Sequence, residues 1–248
     1  MSKAHAKMDQ RWAELIRYVR QVGDEAYELS QKGVNVSYKP ADQSPVTNVD
    51  LFLSEKLLDY LGREFQGDQA VSEESEYRTL RSDLDTWLID PVDGTKELAN
   101  QNGQWSVMVG LSRRGSAIFG IVYQPSTQEM FYGYCLHDGR AAFFESSSLA
   151  KASSIYCNTG ADLHKARLVL SRSHPDERAN LIRERWGFAD AYKQGSVGLK
   201  IAHIACGRAD VYFNFSKKCR QWDLCAPEAI LLGAGGRVGF PQRARSVY

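Results

Sequence analysis

Asp90 and Asp93 are two carboxylates three positions apart in the segment Trp87-Leu88-Ile89-Asp90-Pro91-Val92-Asp93-Gly94-Thr95-Lys96-Glu97. Hard oxygen ligands of this kind suit Mg²⁺. Gly94 lets the backbone turn tightly or approach a ligand closely. Thr95 can cap a following helix, whose free N–H groups and dipole favour an anion. Trp87, Leu88 and Ile89 read as the end of a buried strand, and Pro91 keeps Asp90 out of the helical region. Such an arrangement can hold a divalent metal and a phosphate side by side. The same composition describes an ordinary strand-to-turn connection, since Asp, Pro and Gly all favour turns. The segment alone leaves both readings open.

Further carboxylates tip the balance. Glu74, in Ser72-Glu73-Glu74-Ser75, precedes the segment by one polar loop, and Asp223 follows Trp222 at the start of a predicted helix. Taken singly, the first reads as a solvated acidic turn and the second as an N-cap. Clustered with Asp90 and Asp93 they would repel strongly at low dielectric. Two or more Mg²⁺ ions and a bound phosphate would balance them, and Mg²⁺ normally completes its shell with water and substrate phosphate. A site of that kind suits in-line attack of water on phosphorus.

The elements that must position these groups show in the periodicity. Met8, Trp12, Leu15, Ile16, Val19, Val22, Ala26 and Leu29 recur at helical spacing and predict a helix over 5–31 that stops near Gly33. A polar loop over 39–47 leads to a second helix carrying Leu51, Leu53, Leu57, Leu58 and Leu61. Residues 87–91, 105–112, 117–124 and 129–134 read as strands, with glycine turns that favour antiparallel pairing. In the second half strand and helix alternate: a strand at 168–170, a helix to Trp186, a helix opened by Gly195-Ser196, a strand over 209–215 and a last helix from Asp223 to Leu232. The chain of 248 residues divides near Ser146-Ser147-Ser148 into an N-terminal α+β part, 1–145, and a C-terminal α/β part, 146–248.

With 31 Lys plus Arg against 30 Asp plus Glu, there is no global field for a nucleic-acid polymer or a membrane surface. An anionic ligand must be met locally. The five cysteines show no paired spacing, which points to reduced thiols in a cytoplasmic protein. Cys219 and Cys225 flank Asp223, yet no paired-Cys or His-rich pattern supports a soft-metal site. No run approaches the ~18 apolar residues of a membrane span.

The Asp90-to-Thr95 motif, the acidic Glu74 turn, and Trp222-Asp223 followed by Ala226-Pro227 together resemble the inositol monophosphatase superfamily of Mg²⁺-dependent, lithium-sensitive phosphatases. The resemblance runs from about Lys39 to Gly236. Gly94-Thr95-Lys96-Glu97, Asn102-Gly103, Ser44-Pro45-Val46-Thr47 with Asp50, Ser171-Arg172-Ser173-His174, and Gly195-Ser196 with Leu199-Lys200 are similar to the 3′(2′),5′-bisphosphate nucleotidase branch. The resemblance implies a layered α/β (α+β) fold, an αβαβα sandwich, with the site between the halves. It also implies hydrolysis of 3′-phosphoadenosine 5′-phosphate, a by-product of sulfate-donor metabolism, to AMP and phosphate. One Mg²⁺ would be held by Glu74, Asp90 and the Val92 carbonyl, and a second by Asp90, Asp93 and Asp223, with Glu74 helping to position a third. Asp50 and Thr95 would orient and deprotonate the attacking water. Val92, Asp93, and the Gly94 and Thr95 backbone would meet the scissile phosphate. Lys39, Arg172, His174 and Lys200 are the further candidates for substrate contact.

Two departures from the family pattern stand out. The stretch from Asn214 to Gln221 is longer than usual and carries Lys217, Lys218 and Arg220. After Gly235-Gly236 the polar tail has no strand period, so the expectation is a shortened C-terminal part and a monomer or a homodimer. The competing readings are an inositol monophosphatase-like or broad sugar-phosphate phosphatase, and a non-catalytic binder of a phosphorylated ligand.

Overall fold

The computed structural model describes residues 9–40, 43–75, 80–149, 151–160, 162–188 and 190–239. Six α-helices and twelve strands are found among them, in the order α1 (Gln10–Lys32), β1 (Val36–Tyr38), β2 (Pro45–Thr47), α2 (Asn48–Glu64), β3 (Gln69–Ser72), β4 (Thr86–Asp93), α3 (Thr95–Ala99), β5 (Ser106–Arg113), β6 (Ser116–Gln124), β7 (Glu129–Leu136), β8 (Gly139–Glu145), β9 (Ser153–Ser154), β10 (Arg167–Ser171), α4 (Glu177–Trp186), β11 (Asp190–Gln194), α5 (Val197–Ala205), β12 (Val211–Tyr212) and α6 (Gln221–Gly233). Strands β3 to β9 form one sheet in sequence order, parallel between β3 and β4 and antiparallel thereafter. A smaller parallel sheet has the order β11-β10-β12.

The layers follow from which faces are apolar. Trp12, Leu15, Ile16 and Val19 of α1, with Leu53, Leu57 and Leu61 of α2, pack on Trp87, Ile89, Val107 and Phe119 of the large sheet. The Trp12 and Phe119 rings stack with centroids 4.4 Å apart. Each fully buried side chain of this size is worth about 1.5–3 kcal/mol. The opposite face of the sheet, through Met108, Val122 and Phe131, meets Leu199, Ile201 and Ala202 of α5 and Ala226 and Ile230 of α6. The small sheet lies beyond, with Leu168, Phe188 and Ile182 of α4 in its own cluster. The order helices, sheet, helices, sheet, helix is an αβαβα sandwich.

Helix α6 rests directly on the large sheet because three glycines clear its path. Gly110, Gly120 and Gly133 are register partners across β5, β6 and β7. A Cβ at Gly120 would lie 2.1 Å from the Ala226 carbonyl oxygen, and one at Gly110 would lie 2.6 Å from the Ala226 nitrogen. No side chain fits between helix and sheet there, and so α6 brings its first turn close to the sheet backbone.

Several expectations change in detail. The described part of the first helix is Gln10–Lys32; Met8 and the residues before it lie outside the described residues. The loop expected over 39–47 begins and ends in the β1–β2 hairpin, in which Tyr38 pairs with Pro45. The strand expected over 209–215 is confined to Val211–Tyr212. Strands β3, β8, β9 and β11 had no clear alternation in sequence. On either side of position 146 the chain is not independent: β9 joins the large sheet, and two core clusters contain residues from both parts. The polar tail from 240 onward lies outside the described residues.

Candidate active site

Strand β4 is buried along its whole length and ends at the carboxylates. In a regular strand, residues three apart point to opposite faces. Here Asp90 pairs with Met108 and Asp93 with Ser106, so β4 advances three residues while β5 advances two. This one-residue bulge at Pro91-Val92 turns both carboxylates to the face occupied by α5 and α6. Proline lacks the N–H that a regular ladder requires, which makes it a natural residue for the irregularity. Gly94 follows at φ 102°, a left-handed conformation that glycine adopts without penalty. It is the residue that precedes α3, so Thr95 is the first helical residue and not the cap. The Thr95 hydroxyl instead donates to the Val92 carbonyl at 3.3 Å.

Three carboxylates, from the turn after β3, from β4 and from α6, converge: ligand oxygens of Glu73, Asp90 and Asp223 all lie within 4.8 Å of one another. Glu73, not Glu74, is the member from the acidic turn. The Glu73 N–H continues the parallel pairing of β3 by donating to Ile89 O at 3.0 Å, which sets its side chain beside Asp90. Glu74, one residue on, is not one of the three and pairs with Lys39 at 2.8 Å. Lys39 also reaches Glu73 at 3.0 Å and so ties the two glutamates together. Burial opposes the charge on Lys39, but the two carboxylates outweigh it and hold its pKa above the usual value.

Asp90 is fully enclosed, and its Oδ1 is a buried atom without a hydrogen-bond partner among the described residues. Burial first, then repulsion from Glu73, Asp93 and Asp223, pushes its pKa well up. Asp223 is pushed up to about 7, by burial first and then by Asp93 and Glu73, although the Arg220 N–H donates to its Oδ2 at 2.7 Å. An orphaned carboxylate oxygen amid other carboxylates is costly unless a cation meets it. The donor set is all hard oxygen, so these residues fit a divalent ion such as Mg²⁺. None of the cysteines belongs to the convergent group among the described residues, and all five are free thiols.

The remaining candidates divide. Asp50 is buried, accepts from the Thr47 N–H at 2.9 Å and from the Thr47 hydroxyl, and is pushed up to about 7 by burial. Asp93 presents Oδ2 to Ser196 Oγ at 2.5 Å and to the Gly198 N–H at 2.7 Å. Asp90, Val92, Asp93, Gly94, Thr95, His174, Lys200 and Asp223 all line one cavity of about 800 Å³, the size of a small-molecule site. His174 meets Lys96 at 3.2 Å. Lys200 is buried, lies 5.2 Å from the Tyr212 ring centre, and is lowered to about 8 by burial. Arg172, expected at the substrate, turns away: its Nε donates to Gln104 Oε1 at 2.7 Å and its Nη2 to the Lys193 carbonyl at 3.1 Å. Gln104 Oε1 also accepts from the Gly195 N–H at 2.8 Å, so Arg172 braces the loop before α5.

Sequence reasoning missed Glu73 as the convergent glutamate, Lys193 on the cavity wall, and Ser196 beside Asp93. The β3–β4 register was the only signal that could have chosen between Glu73 and Glu74, and it was not visible in the sequence.

The sequence matches the inositol monophosphatase family over residues 6–245. The chain belongs to that family of phosphatases. It is 33% identical over 211 residues to the 3′(2′),5′-bisphosphate nucleotidase CysQ of Buchnera aphidicola, covering 84% of this chain and 76% of that one. It is 28% identical over 243 residues to inositol monophosphatase 2 of Homo sapiens, covering 92% and 80%. The fold matches that of a Thermotoga maritima IMPase with a TM-score of 0.77 at 23% identity, covering 92% and 84%. CysQ from Bacteroides thetaiotaomicron matches with a TM-score of 0.68 at 24% identity, covering 88% and 84%. No helix among the described residues is long and apolar enough to cross a membrane.

Proposed function

We propose that the chain is a Mg²⁺-dependent 3′(2′),5′-bisphosphate nucleotidase that hydrolyses 3′-phosphoadenosine 5′-phosphate to AMP and phosphate. The observation that carries this reading is the charge of the cavity. Its carboxylates share the lining with Lys96, His174, Lys193, Lys200, Lys217 and Lys218. Lys193, Lys217 and Lys218 have no ion-pair partner among the described residues. A substrate with one phosphate needs the metal centre and few further cations, whereas one with two phosphates uses both sets of charges. The relatives named CysQ, which include one from Salmonella typhimurium at 28% identity, support the same branch.

Glu73, Asp90, Asp93 and Asp223 would hold the ions, with the Val92 carbonyl as a further, neutral ligand. Bound Mg²⁺ supplies charge neutralisation for the carboxylates and electrophilic stabilisation of the phosphoryl oxygens. The backbone of Gly94 and Thr95 would face the scissile phosphate. Asp50 and Thr95 would orient the attacking water, and Asp50, poised near neutrality by burial, would take its proton. Water adds to phosphorus, the bond to the 3′ oxygen breaks, and that oxygen takes a proton from solvent and leaves as the 3′ hydroxyl of AMP. Lys200, Lys217 and Lys218 would hold the second phosphate, with His174 beside the nucleotide.

A substrate panel with Mg²⁺, with and without lithium, tests the proposal. Phosphate release from 3′-phosphoadenosine 5′-phosphate should exceed that from inositol 1-phosphate and from sugar phosphates. Turnover of inositol 1-phosphate with the nucleotide untouched would assign the chain to the inositol monophosphatase branch. No turnover of any phosphomonoester by folded protein would leave a binder.

A further inference from the structure

Among the described residues, one hydroxyl joins the second half of the chain to Asp93. Ser196 Oγ donates to Asp93 Oδ2 at 2.5 Å and accepts from the Leu199 N–H at 2.9 Å. Its third contact is Ser106 Oγ at 2.9 Å. A hydroxyl has one proton to give and two lone pairs. Since the proton goes to the carboxylate, Ser106 donates and the capacity of Ser196 is filled. The Gly198 N–H adds a second bond to the same Asp93 oxygen. Oδ2 therefore carries two donors, while Oδ1 has no hydrogen bond among the described residues and Asp93 lines the cavity.

The backbone is bent to achieve this. Ser196 has φ 50° and ψ 131°, a region that non-glycine residues rarely enter. An ordinary helix cap explains only the bond from Leu199 and requires no such conformation. Ser106 sits opposite Asp93 in the β4–β5 register, so the serine pair spans from sheet to helix at the carboxylate.

We propose that Ser196 is a positioning residue that holds Asp93 Oδ2 through α5, so that Oδ1 would be the oxygen available to a metal ion. This rests on the reading of Asp93 as a metal ligand. Hydrogen-bonded partners behind metal ligands typically change affinity or activity about 10–100-fold when removed.

The test compares Ser196→Gly, Asp93→Asn and the double variant. Glycine accepts the backbone angle and is a tolerable cap, so the fold should survive. Mn²⁺ binding to the metal-free protein, followed by the paramagnetic resonance of the free ion, is the direct readout. Ser196→Gly should weaken Mn²⁺ binding about 10–100-fold, raise the Mg²⁺ needed for half-maximal phosphate release, and leave the melting temperature and the substrate KM near those of the parent. The double variant should bind no more weakly than Asp93→Asn alone, because the hydroxyl acts only through that carboxylate. If Asp93→Asn loses Mn²⁺ while Ser196→Gly binds like the parent, the positioning role is overturned and the metal role of Asp93 stands. If Asp93→Asn itself binds like the parent, the ligand assignment fails and the proposal with it. Should the glycine variant not fold, Ser196→Cys keeps the shape with a weak donor; reduced Mn²⁺ binding supports the proposal and unchanged binding overturns it.

Discussion

At the scale of single residues, the two adjacent glutamates have different surroundings. Glu73 lies among the convergent carboxylates, and Glu74 pairs with Lys39. Glu73→Gln should therefore lower metal affinity and phosphate release far more than Glu74→Gln, by about tenfold or more given the usual effect of changes close to a metal. Equal losses in a Mg²⁺ titration of both variants would remove this distinction. The acids also predict a pH response. Asp50 and Asp223 are each raised to about 7 in the folded, metal-free protein, from an unfolded value of ~3.9. Their stabilising contribution is full below ~4 and is lost as pH rises through about 7, because the folded state disfavours their ionised forms. The gain in melting temperature on adding Mg²⁺ should thus be small near pH 5 and grow towards pH 8. A gain that does not vary over that window would contradict the cause assigned here.

At the scale of elements, the site depends on two backbone devices. The bulge at Pro91-Val92 aims Asp90 and Asp93 at the same face, and the lane of Gly110, Gly120 and Gly133 lets α6 approach until Asp223 meets Asp90. Gly120→Ala should destabilise by about 1–3 kcal/mol or more, since the new methyl meets backbone that cannot step aside. It should also lower activity by displacing Asp223. Gly62→Ala in α2 is the control, with nothing within 4 Å of the added carbon; it should be neutral or slightly stabilising. Thermal melts of the two proteins check this, and an unshifted Gly120→Ala melt would deny the lane its role. Helices α1 and α2 were legible from apolar periodicity, and α4, α5, α6, β4 to β7 and β10 from apolar runs bounded by turn and capping residues. The β1–β2 hairpin was not, and β12 was legible only as part of a longer strand, because short, partly exposed strands leave no run long enough to show a period.

For the whole molecule, net charge conceals a local division. Acids and bases nearly cancel across the chain, yet carboxylates line the same cavity as lysines that have no ion pair among the described residues. Replacing Lys217 and Lys218 together by Ala should reduce kcat/KM for the bisphosphorylated nucleotide, while a monophosphate ester loses little. The contrast should shrink as salt is raised, because exposed charges are screened within about 10 Å at 0.1 M. Equal losses for both substrates would place these lysines outside second-phosphate recognition. The chemistry on offer can be read along the chain. Asp90, Asp93, Asp223, an acidic turn and Thr95 could be named because residue type and local spacing fix donor atoms and turn propensity. Which groups meet is a matter of the folded packing. Glu73 displaced Glu74 through the register of β3 on β4, Arg172 turned to Gln104 and away from the cavity, and Ser196 closed on Asp93. Those outcomes depend on strand register, a one-residue bulge and the approach of a helix to a glycine lane. Each is set by packing between segments far apart in the chain, which no local pattern of residues records.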